Sequence, residues 1–124
     1  MTVHLTKREL DLMSVVWEAG SATVSDVLDQ MEDDVAYSTV LTIFRTLEAK
    51  GFVRHEQDGK AFRYYPLIEP DEAGGSALSR ILNKVYQGSR ELLIARLVKD
   101  EDVSADELRR IKAQLDERLQ EMEK

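Results

Sequence analysis

The chain has 124 residues, of which 43% are hydrophobic, and a formal net charge of −7, which fits one compact domain or a small domain with an appendage. It contains no cysteine, which excludes disulfides, thiolate metal sites and cysteine nucleophiles, so we expect a reducing, cytoplasmic compartment. No apolar run approaches the roughly 20 residues of a membrane helix, and no signal-peptide pattern is present, so we expect no membrane partner.

The first third of the sequence predicts two helices. Thr6 and Glu9 form a T-x-x-E capping box, with Leu5 and Leu10 as its hydrophobic staple. An apolar stripe follows, formed by Leu10, Met13, Val16 and Trp17, and Gly20 is the expected C-terminal stop of the helix. The second helix begins at Thr23, with Asp26 three residues later, and its apolar positions are Val24, Val27, Leu28 and Met31. The acidic run at 32–34 is interpreted as a solvated loop.

Residues 37–51 predict a third helix with two contrasting faces. One face is apolar with helical spacing, formed by Val40, Ile43, Phe44 and Leu47. The opposite arc is mostly short and hydrogen-bonding, and consists of Ser38, Thr39, Thr42, Arg45, Thr46 and Ala49. A solvated helix usually carries Glu and Lys there, whereas Ser, Thr and Arg can contact base edges or phosphates in a major groove. The alternative is an ordinary amphipathic helix rich in threonine.

After Gly51 the apolar period changes to two, which predicts a β-hairpin. Residues 52–57 and 60–65 form its strands, and Asp58-Gly59 closes it as a two-residue type I′ turn. The resulting register places three apolar side chains on the buried face, namely Val53, Phe62 and Tyr64.

The same register places Arg54 directly opposite Arg63 on the exposed face. Like charges in that position are destabilising by up to about 1 kcal/mol, and a polyanion lying across the hairpin would reverse the sign. The alternative is that Glu56, diagonal to Arg63, and Tyr65 relieve the repulsion by themselves.

Three helices followed by a basic hairpin are the pattern of a winged helix-turn-helix. Residues 38–66 contain five basic and three acidic residues, a local charge of +2, so the other 95 positions carry −9. A locally basic patch on an acidic body can bind DNA. We predict a mainly α (α+β) fold, with a winged helix-turn-helix DNA-binding domain at 1–67 and a helical dimerisation region at 68–124.

The C-terminal region predicts further helices with uncovered apolar stripes. Pro70 and the following acids open it, Gly88-Ser89 breaks its stripe, and Ser104 with Glu107 repeats the capping box. Because no strand covers these stripes, the expected partner is the same region of a second copy; intrachain packing on the winged domain is the alternative. The predicted dimerisation residues are Leu78, Leu82, Val85, Leu92, Leu93, Leu97, Leu108, Ile111, Leu115 and Leu119.

Several segments resemble the penicillinase-repressor (BlaI/MecI/CopY) family of bacterial transcription regulators: LTKREL through Trp17-Glu18, AYSTVLTIFRTLEAKG at 36–51, and residues 53–66. Residues 82–89 and 102–108 are similar to the family's dimerisation region. The resemblance implies a homodimeric repressor on a palindromic double-stranded DNA operator, with the third helix reading bases and the wing gripping phosphate. By position it implies contacts from Ser38, Thr39, Thr42, Arg45 and Thr46, surrounded by Lys50, Arg54, Lys60 and Arg63.

Two departures limit what the resemblance implies. Copper-sensing members end in a cysteine-rich metal site, which a chain without cysteine cannot form, so no metal or cofactor is expected. Staphylococcal members are cleaved at an Asn-Phe bond in the C-terminal helices, and the matching place here is Arg96-Leu97, whose residues do not support cleavage. The resemblance implies a sensor or protease that relieves repression, and leaves the inducing signal open.

Two other functional classes are alternatives to DNA binding. An enzyme is disfavoured because the chain has two histidines, His4 and His55, and neither a nucleophile motif nor a glycine-rich phosphate loop. His55 is interpreted as a partly buried structural residue. The main alternative is a winged-helix module for protein–protein contact through its acidic surface, and the salt dependence of DNA binding separates the two.

Overall fold

The computed structural model describes residues 3–124. Its elements are α1 (Lys7–Ala19), β1 (Ala22–Thr23), α2 (Val24–Gln30), α3 (Tyr37–Ala49), β2 (Val53–Asp58), β3 (Ala61–Pro66), α4 (Pro70–Lys84), α5 (Arg90–Val98) and α6 (Ala105–Met122). They divide into two compact units, Met1–Ser79 and Arg80–Lys124. The domain division expected at residues 67 and 68 stays a prediction.

Helix α1 begins and ends where the sequence predicts. The Thr6 hydroxyl accepts a hydrogen bond from the Glu9 N–H (3.2 Å), and the Glu9 carboxylate accepts one from the Thr6 N–H (2.8 Å). Gly20 follows the helix with a left-handed φ of 87°, a conformation that glycine adopts without a steric penalty. The capping box and the glycine stop are confirmed.

The predicted apolar stripe of α1 is wrong at one position. Leu10 is 42% exposed, and Leu12 is fully buried in its place. The buried face therefore runs through Glu9, Leu12, Met13 and Val16, a helical spacing that starts one residue earlier than expected. Trp17 packs against this core while partly exposed, and its indole N–H donates to the Ile68 carbonyl at 2.8 Å.

Helix α2 starts with a second reciprocal cap between Thr23 and Asp26, at 3.0 and 3.1 Å. The capping residue Thr23 and the preceding Ala22 also form the short strand β1, which the sequence did not predict. The acidic run after α2 is exposed, as expected of a loop. Arg8 of α1 binds the Asp33 carboxylate of that run through two hydrogen bonds of 2.5 and 3.3 Å.

Helix α3 buries the face that its spacing predicts. Val40, Phe44 and Leu47 are fully buried, and Ile43 is partly buried against the same core. The helix ends at Ala49, and Gly51, which follows the capping residue Lys50, has a φ of 83°. The N–H groups of Gly51 and Phe52 donate to the carbonyls of Glu48 and Leu47, both at 3.0 Å. This pair of bonds is the Schellman arrangement, and it turns the chain directly into β2.

The sheet has three antiparallel strands in the order β1-β3-β2, and its hairpin register differs from the prediction. Asp58 pairs with Ala61, so the two-residue loop is Gly59-Lys60 and not Asp58-Gly59. Moving the turn by one residue slides each partner by two positions, which keeps every side chain on its predicted face. Val53 and Tyr64 are buried accordingly, but Phe62 on that face is 42% exposed.

The turn chemistry explains the difference. A type I′ turn at Asp58-Gly59 needs a positive φ at both residues, and a non-glycine residue adopts that conformation at a cost. In the observed loop the positive φ (64°) falls on Gly59, while Lys60 keeps a negative φ, the pattern of a type II′ turn. The predicted opposition of Arg54 and Arg63 is therefore wrong, because Arg54 faces Tyr65 and Arg63 faces Glu56.

The second unit is helical, and α5 and α6 contain no buried residue. The predicted break at Gly88-Ser89 is observed, with Gly88 at a φ of 82° and the Ser89 hydroxyl accepting from the Leu92 N–H at 3.2 Å. Ser104 caps α6 by accepting from the Glu107 N–H at 3.1 Å.

The residues predicted for dimerisation are mostly exposed in the single chain. Leu82 is buried, and Leu93 and Ile111 are partly buried. The exposed members are Leu78, Val85, Leu92, Leu97, Leu108, Leu115 and Leu119.

Candidate nucleic-acid interface

The predicted contact residues of α3 form one exposed arc of the helix. Ser38, Thr39, Thr42, Arg45 and Thr46 are all exposed, and the fully buried side chains of the opposite face fix the rotation of the helix about its axis. The arc carries one charged group and four hydroxyl groups. A helix presenting short polar side chains can lie close to a base-pair edge.

Two of these hydroxyl groups already have internal partners. Thr42 Oγ1 donates to the Ser38 carbonyl at 2.9 Å, and Thr46 Oγ1 donates to the Thr42 carbonyl at 3.1 Å. Because the hydroxyl protons are used by the helix backbone, these threonines offer an incoming surface their oxygen lone pairs and their methyl groups.

The hairpin is attached to α3 by a ring stack and by a hydrogen bond between side chains. Phe44 and Tyr64 stack with ring centroids 4.1 Å apart and planes 2° from parallel. His55 Nδ1 of β2 lies 2.6 Å from Glu48 Oε2 on α3, and the imidazole also contacts Phe62 edge-on. His55 thus joins the wing to the helix. These contacts hold the two candidate DNA-binding elements in one packed group.

The cations of this surface differ in what they already contact. Arg45 and Lys60 make no ion pair with any residue in the described range 3–124. Arg54 Nη1 lies 2.7 Å from Glu56 Oε1, and its guanidinium carbon lies 4.4 Å from the ring centroid of Tyr65.

Arg63 is the most enclosed of the wing cations. Its Nε donates to Asp58 at 2.9 Å, and its Nη1 contacts Ser21 at 3.3 Å and Asp26 at 3.5 Å. The hydrogen bond to Asp58 raises the pKa of Arg63. The pKa of Asp26 is held below its ordinary value mainly by the hydrogen bond from the Thr23 N–H. The positive charge of Arg63 contributes to a smaller extent. Arg63 therefore links the wing to the cap of α2.

Lys50 has an internal partner that sequence reasoning missed. Its Nζ donates to both carboxylate oxygens of Glu9, at 2.9 and 2.8 Å, and the Glu9 side chain is only 4% exposed. Burial by itself raises the pKa of Glu9, but the hydrogen bonds from Lys50 and from the Thr6 N–H outweigh it, and the pKa is lowered. The capping-box pattern identified Glu9, but no local pattern connects residues 41 positions apart.

No helix within residues 3–124 combines the length and the apolar character needed to cross a membrane.

Comparison with known proteins identifies relatives along most of the chain. The model of the family described as penicillinase repressor matches residues 5–117. The methicillin resistance regulatory protein MecI of Staphylococcus aureus (strain N315) is 29% identical over 113 residues, which cover 90% of this chain and 92% of MecI. The transcriptional regulator BlaI of Mycobacterium tuberculosis (strain CDC 1551 / Oshkosh) is 36% identical over 87 residues, covering 67% of this chain and 62% of that regulator.

A solved structure is similar to part of the chain. The solution structure of the DNA binding domain of the repressor BlaI superposes with a TM-score of 0.50 and 25% identity, covering 58% of this chain and 93% of that domain. The predicted winged-helix fold is confirmed by this similarity and by the observed three helices and three-stranded sheet. The prediction that the chain is not an enzyme is confirmed as well, since the matched family is one of transcriptional repressors. The match over residues 5–117 means that this chain belongs to the penicillinase repressor family.

Proposed function

We propose that this chain represses transcription by binding a palindromic DNA operator as a homodimer in the cytoplasm. Helix α3 enters the major groove, and the β2–β3 wing lies on the neighbouring phosphate backbone. Winged helix-turn-helix proteins place their recognition helix in this way, and dimers read two half-sites about one helical turn, or a multiple of it, apart.

The observation that carries the proposal is the exposed arc of α3. A helix whose opposite face is fully buried presents the same side chains to solvent in every copy of the protein, which base readout requires. We assign base contacts to Thr42, Arg45 and Thr46, and contacts at the start of the helix to Ser38 and Thr39. Arginine binds guanine bidentately, and threonine methyl groups contact the thymine methyl.

The phosphate contacts are assigned to the cations around this arc: Lys50, Arg54, Lys60 and Arg63. Lys60 is the strongest candidate, because it lies in the hairpin loop without an ion-pair partner among residues 3–124. Arg54 can exchange its exposed carboxylate partner for a phosphate. Lys50 and Arg63 have internal partners on α1 and α2, so we expect smaller contributions from them.

The pairing of two copies is assigned to the helices from α4 to α6. Seven of the ten residues predicted there, six leucines and Val85, are exposed in the single chain, and exposed aliphatic side chains in such number are uncommon on a monomer surface. A symmetric pair of chains covers both sets at once, since the same surface serves on each side of a two-fold axis.

Relief of repression is assigned to a sensor or a protease. The candidate bond Arg96-Leu97 lies in the last turn of α5, and Leu97 is exposed. A protease needs an extended substrate, so this helical turn must open before it could be cut.

The test is a salt titration of the full chain with a mixed-sequence duplex and with duplexes selected from the source genome. A DNA-binding dimer loses affinity steeply with salt, with a log–log slope of about −0.9 per neutralised phosphate. A selected duplex should bind roughly 10³-fold or more tightly than the mixed sequence. If the chain binds neither duplex at low salt, the protein–protein module is the better interpretation.

A further inference from the structure

Two carboxylates occupy the wing beside the cations assigned to phosphate. Glu56 follows Arg54 by two residues on β2, so both side chains lie on the same face of the strand. Arg54 Nη1 lies 2.7 Å from Glu56 Oε1. Asp58, at the end of β2, holds Arg63 at 2.9 Å. Each wing arginine therefore has a carboxylate partner that the wing itself supplies.

These ion pairs are open to water. The side chains of Glu56 and Asp58 are 59% and 54% exposed, so solvent screens both pairs and each contributes little to folding stability. A fold that gains little from a pair of charges can exchange one partner at little cost. The arginines are therefore available to a phosphate, but the displaced carboxylate stays attached to the wing beside it.

We infer that Glu56, and Asp58 to a smaller extent, oppose the binding of DNA by competing with its phosphates for the wing arginines. The inference rests on the proposed function. In the free protein the carboxylate is paired with the guanidinium group, so a phosphate must displace it. In the complex the displaced carboxylate lies near the bound phosphate, and the two negative charges repel each other. Both effects lower the affinity for every sequence, because phosphates are common to all DNA.

The position of Arg63 predicts the order of the two effects. Removing the Glu56 charge leaves Arg54 with the Tyr65 ring, which has no negative charge. Removing the Asp58 charge leaves Arg63 within 3.5 Å of the Asp26 carboxylate. Neutralising Glu56 should consequently leave an arginine without a competing carboxylate, whereas neutralising Asp58 should not. The gain in DNA affinity should therefore be larger for Glu56 than for Asp58.

The test compares Glu56→Gln and Asp58→Asn with Glu117→Gln, all in the full chain. Glu117 lies on α6, outside the wing, and its place two residues from both Leu115 and Leu119 puts it on the opposite side of the helix from these pairing residues. Its variant therefore carries the same change in net charge without a wing ion pair. Binding to a fluorescent mixed-sequence duplex is measured by anisotropy between 50 and 200 mM salt. Trp17 fluorescence checks that each variant is folded, since this single tryptophan packs on the core of the first unit.

We expect Glu56→Gln to tighten binding at the lowest salt by roughly five-fold per wing, the effect of one unit charge at about 4 Å in water. Asp58→Asn should give a smaller gain, and Glu117→Gln should leave the affinity close to that of the unchanged protein. The gain should shrink as salt rises, because screening weakens exposed charges.

A Glu56→Gln affinity equal to that of Glu117→Gln overturns the inference. So does weaker binding, which would mean that the carboxylate orients Arg54 for its phosphate. If the unchanged chain binds no duplex at 50 mM salt, the proposed function fails and the inference fails with it, whereas normal binding without a gain removes the inference alone.

Discussion

The ion pair between Glu9 and Lys50 gives the sharpest prediction of stability. Glu9 of α1 is 3% exposed and accepts three hydrogen bonds, one from the Thr6 N–H and two from Lys50 Nζ. The Lys50 side chain is 38% exposed. We expect the two partners to respond unequally to substitution, because one charge is buried and the other is not.

The magnitudes follow from what each substitution leaves behind. In Glu9→Gln the amide oxygen still accepts a hydrogen bond from the Thr6 N–H, and the ammonium group of Lys50 becomes hydrated. The variant loses the charge-assisted part of the hydrogen bonds from Lys50, which lowers the free energy of unfolding by about 1–2 kcal/mol. Lys50→Met leaves a buried carboxylate with Thr6 as its remaining donor, which costs about 3–5 kcal/mol. The double variant should be more stable than Lys50→Met alone, since it carries no uncompensated charge.

The pH dependence checks the same assignment. The pKa of Glu9 is lowered in the folded chain from its ordinary value of 4.5, so the stabilisation is fully present above about pH 4.5 and is lost as pH falls through the folded-state pKa. In Lys50→Met, burial should instead raise the pKa of Glu9. The difference in stability between Glu9→Gln and the unchanged protein should therefore be largest near pH 7 and should narrow below about pH 4.5. The difference for Lys50→Met should begin to narrow at a higher pH, as the pH falls through the raised pKa of Glu9 in that variant.

The assay is urea unfolding followed by Trp17 fluorescence, at one protein concentration so that association contributes equally to every variant. With a slope of about 1–2 kcal/mol per molar urea, Glu9→Gln should lower the midpoint by roughly 1 M. Glu72→Gln is the matched control in the same unit, because the exposed Glu72 carboxylate accepts a hydrogen bond from the Glu69 N–H at 3.1 Å, as Glu9 does from the Thr6 N–H, but forms no ion pair in the described chain. Equal shifts for Glu9→Gln and Glu72→Gln, or a Lys50→Met variant more stable than Glu9→Gln, would refute the reasoning.

Three further predictions concern the interface with DNA and the pairing of chains. Thr42→Ala and Arg45→Ala should each cost about 1–3 kcal/mol on a selected duplex and less on a mixed sequence; competition binding measures the ratio, and equal losses would count against base readout. Lys60→Ala should weaken all duplexes alike and reduce the salt slope by about one per wing; an unchanged slope would remove the loop from the interface. Leu115→Asp should separate the paired chains, so an unaltered sedimentation coefficient would contradict the proposed helical interface.

The local features of the fold could be predicted because each depends on a few neighbouring residues. The caps at Thr6, Thr23 and Ser104 each connect a side-chain oxygen to a backbone N–H three positions away, and the glycines after α1 and α3 are required by a left-handed backbone. The apolar face of α3 followed from its helical spacing. These interactions close within one turn, so the order of residues is sufficient to identify them.

The features that were predicted wrongly or missed depend on the tertiary structure. The turn at Gly59-Lys60 was placed one residue too early, because Asp-Gly suits a type I′ turn in isolation, whereas the packed sheet pairs Tyr64 with His55. Strand β1 has two residues and exists only by pairing with β3. The contacts of Lys50 with Glu9 and of Arg63 with Asp26 each join segments more than 30 positions apart. The predicted opposition of Arg54 and Arg63 fails for the same reason, because it depends on the register of the hairpin.

The absence of buried side chains in α5 and α6 has a consequence for how long the protein lasts in the cell. If chains pair as proposed, the leucines of α5 and α6 are exposed to chaperones and proteases in the monomer and buried in the dimer. Turnover would then accelerate as synthesis slows, since dilution favours the solitary form. The concentration of such a regulator, and with it the occupancy of its operator, would fall faster than dilution through cell growth alone allows.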